Sequence, residues 1–167
     1  MKLAIIYYSQ TGVNYSMAKK AYETAKEKGA EVRLRKVHES LDTSDVIEGS
    51  AWDKLLKETK DIKEATAEDL VWAEGKLVNK YVTAFSSAQN ANGGQEQTIR
   101  AIYTSAMHWG SIIVPTGYTD DSIYLQGGNP YGVSASQDPE KQDATTTNDV
   151  MGAVVHQTKR LLEVAGK

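Results

Sequence analysis

The chain has no cysteine, only three prolines and a single phenylalanine among its 167 residues. The first absence removes disulfides, thiolate metal sites and a thiol nucleophile together. Basic charge is not in excess either. A net charge of −3 and an isoelectric point near 5.6 argue against a nucleic-acid partner, whose footprint is a basic surface. No apolar run is long enough to span a bilayer, and Met1-Lys2-Leu3 leads into a strand pattern without the parts of a signal peptide. The expectation is a cytoplasmic protein with no membrane insertion. H-E-x-x-H, carboxylates at metal spacing and a serine nucleophile elbow are all missing, so no metal is expected.

What is present is an ordinary globular composition, 40% hydrophobic and 25% charged, in a length suited to one domain over residues 1–167. Lys2–Ser9 carries Ile5, Ile6, Tyr7 and Tyr8 in succession, the pattern of a parallel strand covered on both faces. From Asn14 the period becomes helical, with Met17, Ala18, Ala21, Tyr22 and Ala25 on one face and Gly29 as the stop. Glu31–Val37 alternates as a strand nearer the sheet edge. Strand, helix and strand in this order make a βαβ unit, hence an α/β fold with an open parallel sheet and helices on both faces.

Between His38 and Glu74 the chain is polar and no strand is expected. Ser50 caps a helix bearing Trp52, Leu55 and Leu56, and Thr66 caps another bearing Leu70, Val71 and Ala73. Lys80–Ser87 reads as a strand ending in the loop Ala88–Gly94. Gln95–His108 reads as a helix with Ile99, Ile102, Tyr103 and Ala106 inward, and Ser111–Val114 as a short strand. Tyr118–Asn148 is long and turn-rich, the profile of a lid, an oligomer contact or a partly disordered segment. A last helix, Asp149–Ala165, presents Val150, Met151, Val154, Val155, Leu161 and Leu162 to the core.

Two loops at carboxyl ends of strands carry the candidate chemistry, because open parallel sheets bind ligands there. In Ser9-Gln10-Thr11-Gly12-Val13-Asn14, Ser9 and Thr11 offer hydroxyls, Gly12 lets the backbone approach an anion, and Asn14 can cap the helix and touch a ligand. The loop is neither G-x-G-x-x-G nor a Walker A sequence. It reads either as a seat for one terminal phosphate or as a plain βα turn with a good cap. The second loop, from Ser86 to Gly94, can present small amides and hydroxyls to the polar edge of a heterocycle, or be a flexible turn. His108 is a helix-end cap or a proton donor. Trp52, Trp72 and Trp109 read as core or interface, and His38 and His156 as solvated.

IIYYSQTGVNYSMA, KYVTAFSSAQNANGGQEQTIRAIYTSAMHWGSIIVPTGY and GGNPYG together resemble the WrbA family of flavodoxin-like NAD(P)H:quinone oxidoreductases. The resemblance implies a flavodoxin-like sheet and non-covalent FMN, with Ser9, Gln10, Thr11, Gly12, Val13 and Asn14 on the phosphate. It places Ser87, Ala88, Gln89, Asn90, Ala91, Asn92 and Gly93 beside the isoalloxazine. It implies that His108 approaches the flavin as a catalytic group, that Thr11 meets the nicotinamide dinucleotide, and that NAD(P)H donates electrons to a quinone. A homotetramer that builds each flavin site from several subunits is also implied.

One family block does not match. After Glu74 the family continues with a strand, a P-T-R-F-G-N loop, a helix and a G-G-L-W run, and this sequence passes directly to Gly75. A strand-plus-helix unit of roughly 30 residues is absent, including the third strand of a 2-1-3-4-5 sheet. Either the molecule contains a segment between Glu74 and Gly75 that this sequence does not show, or the deletion is real and the site is impaired. An intact mass of 18.3 kDa decides for the deletion, and a mass several kDa larger for the segment.

Overall fold

The computed structural model describes residues 1–72, 77–141 and 143–167. The expected junction between Glu74 and Gly75 lies outside the described residues, as does Ala73. In chain order the elements are β1 (Lys2–Tyr7), α1 (Val13–Glu27), β2 (Glu31–Lys36), α2 (Ala51–Glu58), α3 (Ala67–Val71), β3 (Tyr81–Val82), β4 (Ser86–Ala88), α4 (Gln95–His108), β5 (Ile112–Ile113), α5 (Ser122–Leu125), β6 (Ser134–Ser136) and α6 (Met151–Ala165). All strand pairs are parallel, and the α/β class with a flavodoxin-like arrangement holds.

The sheet is divided. β1 pairs with β2 from Lys2 opposite Glu31 to Tyr7 opposite Lys36. β3 pairs with β5, and β4 with β6. Among the described residues, no ladder joins the β1–β2 pair to β3, β4, β5 or β6. This is the arrangement expected of a five-position sheet whose middle strand is missing. α1 and α6 pack on each other, and α1 touches both β1 and β4. Ile5, Tyr7, Met17, Ala18, Val133, Ala135 and Val154 form the main core there, with Phe85 packed against it. A smaller cluster of Ala84, Ile99 and Tyr103 forms with α4.

The expected strand Lys80–Ser87 breaks into β3 and β4, and side chains bridge the break. Gln157 on α6 donates from Nε2 to the Ala84 carbonyl (3.0 Å) and accepts the Val133 N–H on Oε1 (2.9 Å). The Tyr103 hydroxyl accepts the Ala84 N–H (3.2 Å) and donates to the Tyr131 carbonyl (2.6 Å). Gly132 allows this crossing, since a Cβ there would lie 2.1 Å from the Ala84 oxygen. On the partner strand, Pro115 follows β5 with no N–H to extend the ladder.

Other expectations need correction. Tyr118–Asn148, read as one long turn-rich segment, also holds α5 and β6. Gln126 Oε1 accepts the Ser134 N–H (2.6 Å) and Asn148 Oδ1 the Ser136 N–H (2.9 Å), which closes the outer side of β6. The inward face of α6 runs through Val150, Ala153, Val154, Gln157, Thr158 and Leu161, while Met151, Val155 and Leu162 are only partly buried. Ile102 points outward. The Ser50 and Thr66 caps form as expected, Ser50 Oγ accepting from Asp53 N–H and Thr66 sharing a capping box with Asp69.

Candidate functional site

The first loop follows directly from β1. Gly12 adopts φ 97°, a left-handed conformation that glycine reaches without strain, and turns the chain into α1. Ser9 Oγ accepts the Gly12 N–H at 3.1 Å. Asn14 does not cap the helix as expected. It lies inside the first turn and donates from Nδ2 to the Tyr8 carbonyl at 3.0 Å. Its Oδ1 is buried without a partner. The open N–H groups of the first helical turn make this a place where negative charge is favoured.

The second loop is shorter than expected. Ser87 and Ala88 are strand residues in β4, paired with Ala135 and Ser136. Only Gln89 to Gly94 forms the exposed turn into α4. Gln95 pins that turn, donating from Nε2 to the Asn90 carbonyl at 2.7 Å.

Gln137 joins the two loops. Its N–H donates to the Ala88 carbonyl (2.8 Å), its Oε1 accepts from the Thr11 hydroxyl (3.1 Å), and its Nε2 donates to the Asp143 carbonyl (3.1 Å). Gln137 thus ties the first loop to the carboxyl end of β4, from which the second loop leaves. Gln137 lies in the run S-Q-D-P-E-K, read from sequence as a turn, and its role follows from a strand too short to show a pattern.

Two clefts flank α2 beside the first loop. One of about 270 Å³ is lined by Tyr8, Ser9, Lys36, Glu39, Trp52 and Glu64, among others. The other, about 260 Å³, includes Thr11, Gly12, Ser16, Lys19, Lys54 and Asp143. Above Gly12, the space a Cβ would take meets Ala144 Cβ at 3.2 Å. Tyr7 forms part of the first cleft, where burial, with the neighbouring Tyr15 and Glu58, pushes its phenol well above the usual range.

His108 is not near these loops within one chain. It is exposed at the opposite end of α4 from Gly94, on the order of 20 Å along the helix axis, and its Nδ1 lies 3.0 Å from the Thr104 carbonyl. Of the remaining histidines, His38 is exposed and paired with Glu64 (3.0 Å). His156 is not solvated as expected. It is largely covered, with Nε2 2.8 Å from the Thr119 hydroxyl. Trp72 serves as a platform for the Arg33 guanidinium, 4.1 Å from the ring centre. Among the described residues no cluster of metal-ligating side chains occurs, and no helix is long and apolar enough to cross a membrane.

No family model matches the chain. Whole-length relatives do. A protein of Deinococcus radiodurans named NAD(P)H dehydrogenase (quinone) is 40% identical over 198 positions, covering 100% of this chain and 96% of the relative. Proteins of the same name from Geotalea daltonii and Syntrophobacter fumaroxidans are 29% and 28% identical, each covering 100% of this chain and 98% of the relative. The chain is therefore an oxidoreductase by family. It belongs to the NAD(P)H dehydrogenase (quinone) family. The first alignment spans 198 positions against the 167 residues here, so at least 31 of them face no residue of this chain. With both proteins covered almost end to end, that excess is internal.

Proposed function

We propose that this protein is an FMN-dependent NAD(P)H:quinone oxidoreductase of the WrbA type, cytoplasmic and homotetrameric. The observation that carries the reading is the tie through Gln137 between the loop after β1 and the carboxyl end of β4. The residues suit the phosphate end of FMN. Ser9 retains a hydroxyl hydrogen to donate, the first-turn amides of α1 face an anion favourably, and the unpartnered Asn14 Oδ1 suits a ribityl hydroxyl. Asn90 to Gly93 would border the ring. Bound flavin supplies two-electron transfer from NAD(P)H to a quinone. The protein's part is to hold the phosphate, orient the ring and exclude water between the two loops. His108 acts only if a second copy brings it to the site, where its imidazole would give a proton to the quinone oxygen.

The test is a titration of the purified protein with FMN, followed by flavin fluorescence. Saturable quenching is expected, with at least tenfold weaker binding in Asn14→Ala, and NADH should then bleach the flavin with no separate reductase. His108→Ala should lower quinone turnover while FMN stays bound, and unchanged turnover removes that role. The closeness of Ala144 over Gly12, where an added Cβ would lie 3.2 Å from it, and the divided sheet favour a second reading, a homologue that holds no flavin. A protein that remains colourless and leaves FMN fluorescence unquenched establishes that reading instead.

A further inference from the structure

The cleft of about 270 Å³ beside α2 has two kinds of wall. Trp52, Leu55, Leu56 and Thr59 recur at helical spacing, so one face of α2 forms the first. The second is made by the carboxyl ends of β1 and β2, through Tyr7, Tyr8 and Val37, with Leu41 from the loop that follows. Of the first loop only Ser9 lines it, and no residue from Ser86 to Gly94 does, nor Gln137. The cleft is therefore separate from the tie between the first loop and β4.

Each wall holds a buried hydrogen-bond donor with nothing to bond. Tyr7 is only 5% exposed, and its hydroxyl has no partner among the described residues. Its ring packs beside Tyr15, 5.5 Å between centres, and its phenol is near enough to α2 to feel the charge of Glu58. Trp52 Nε1, on the helical wall, is likewise buried without a partner among the described residues. Such groups are uncommon, and each costs stability until an acceptor reaches it. The charged groups around the cleft are, by contrast, already engaged. Glu39 accepts from the Tyr8 hydroxyl (3.2 Å) and the Leu41 N–H (3.0 Å). Glu64 lies 3.0 Å from His38, and Lys36 donates to the Thr59 carbonyl (3.0 Å). An anion would meet two carboxylates and one occupied ammonium. The unmet demand is for a neutral acceptor between apolar side chains.

We propose that this cleft binds a neutral, flat aromatic molecule whose carbonyl oxygen accepts hydrogen bonds from the Tyr7 hydroxyl and Trp52 Nε1. Leu55, Leu56 and Val37 cover its ring, and the volume suits one or two fused rings. The proposal goes beyond the flavin reading and is measured without flavin.

The probe is indanone, a neutral bicyclic ketone, with indane as the same shape lacking the oxygen. Proton–nitrogen NMR spectra report the indole N–H signals of Trp52, Trp72 and Trp109, and the signal lost in Trp52→Phe assigns the first. Indanone should move the Trp52 signal downfield and saturably, with half the change on the order of 1 mM, while Trp72 and Trp109 stay. Tyr7→Phe keeps the ring and removes only an unpaired hydroxyl, so the fold is retained. It should bind indanone at least fivefold more weakly. Equal binding of indane overturns the proposal, because apolar adhesion alone then accounts for it. Equal binding of indanone by Tyr7→Phe overturns it too, as does a Trp52 signal unmoved at about 10 mM.

Discussion

The two halves of the sheet solve one problem by different means. β1 and β2 hold six residue pairs in unbroken register, so backbone ladders satisfy the strands between them. The half built from β3 to β6 has ladders of two and three residues, and buried side chains supply what the ladders omit. A long ladder tolerates the loss of any one side chain. A short ladder joined by Gln157 and Tyr103 depends on those two, because an unpaired buried backbone group costs about 1–3 kcal/mol.

The sharpest way to break the contrast is Gly132→Ala. The added methyl has no room against the Ala84 oxygen, and a backbone atom cannot step aside as a flexible side chain can. A loss of about 3 kcal/mol or more is expected in urea unfolding. An alanine variant with wild-type stability would show that the two segments do not cross so closely. Gln157→Leu comes next. It fills similar volume but leaves the Ala84 carbonyl and the Val133 N–H without partners, for a loss of about 3 kcal/mol, with faster exchange at Val133. The smallest effect is expected in the other half. Asp69 joins α3 to β2 by accepting from Arg33 (3.2 Å) and Arg35 (3.0 Å). Burial pushes its carboxyl up, but the Thr66 amide and the two guanidiniums outweigh that and hold it below the ordinary carboxylate range. A lowered folded-state value contributes stability above about pH 4 that is lost as the pH falls through it. Asp69→Asn should therefore cost about 1.5 kcal/mol near neutrality and converge with the wild type in acid. Parallel stability curves at all pH values would contradict the assignment.

The strands of the half with long ladders were legible in the sequence, and so were the helices of both halves, α4 forming over the expected Gln95–His108. β1, α1 and β2 are set by local pattern, an apolar run, a helical period and a Gly stop, and they form close to the expected bounds. The Ser50 and Thr66 caps are equally local. β6 is Ser-Ala-Ser, with no hydrophobic alternation to read. It is a strand because Ser86–Ala88 lies beside it and because Gln126 and Asn148 hold its other side. The break at Ala84 was hidden for the same reason, since Gln157 is 73 positions away in sequence. On α6 the expected inward face missed Gln157 and Thr158, polar residues buried by partners that no local pattern reveals. At the site, the first loop was legible from its position after β1. Its link to the second loop was not, because that link runs through Gln137. Gln137 ties Thr11 to Ala88 at the end of β4, whereas His108 lies at the far end of its helix.

The Gln157 bridge also bears on the order in which the protein can assemble during synthesis. β1, α1 and β2 are complete once Lys36 has emerged, and they can pair while the rest of the chain is still being made. The other half must wait, because the group that joins Ala84 to Val133 is carried on α6 and is translated after every strand. Until α6 docks, the Ala84 carbonyl and the Val133 N–H lack the side chain that serves them both, and only the Tyr103 bridge joins the segments there. Its last helix therefore acts as a latch on strands made long before it.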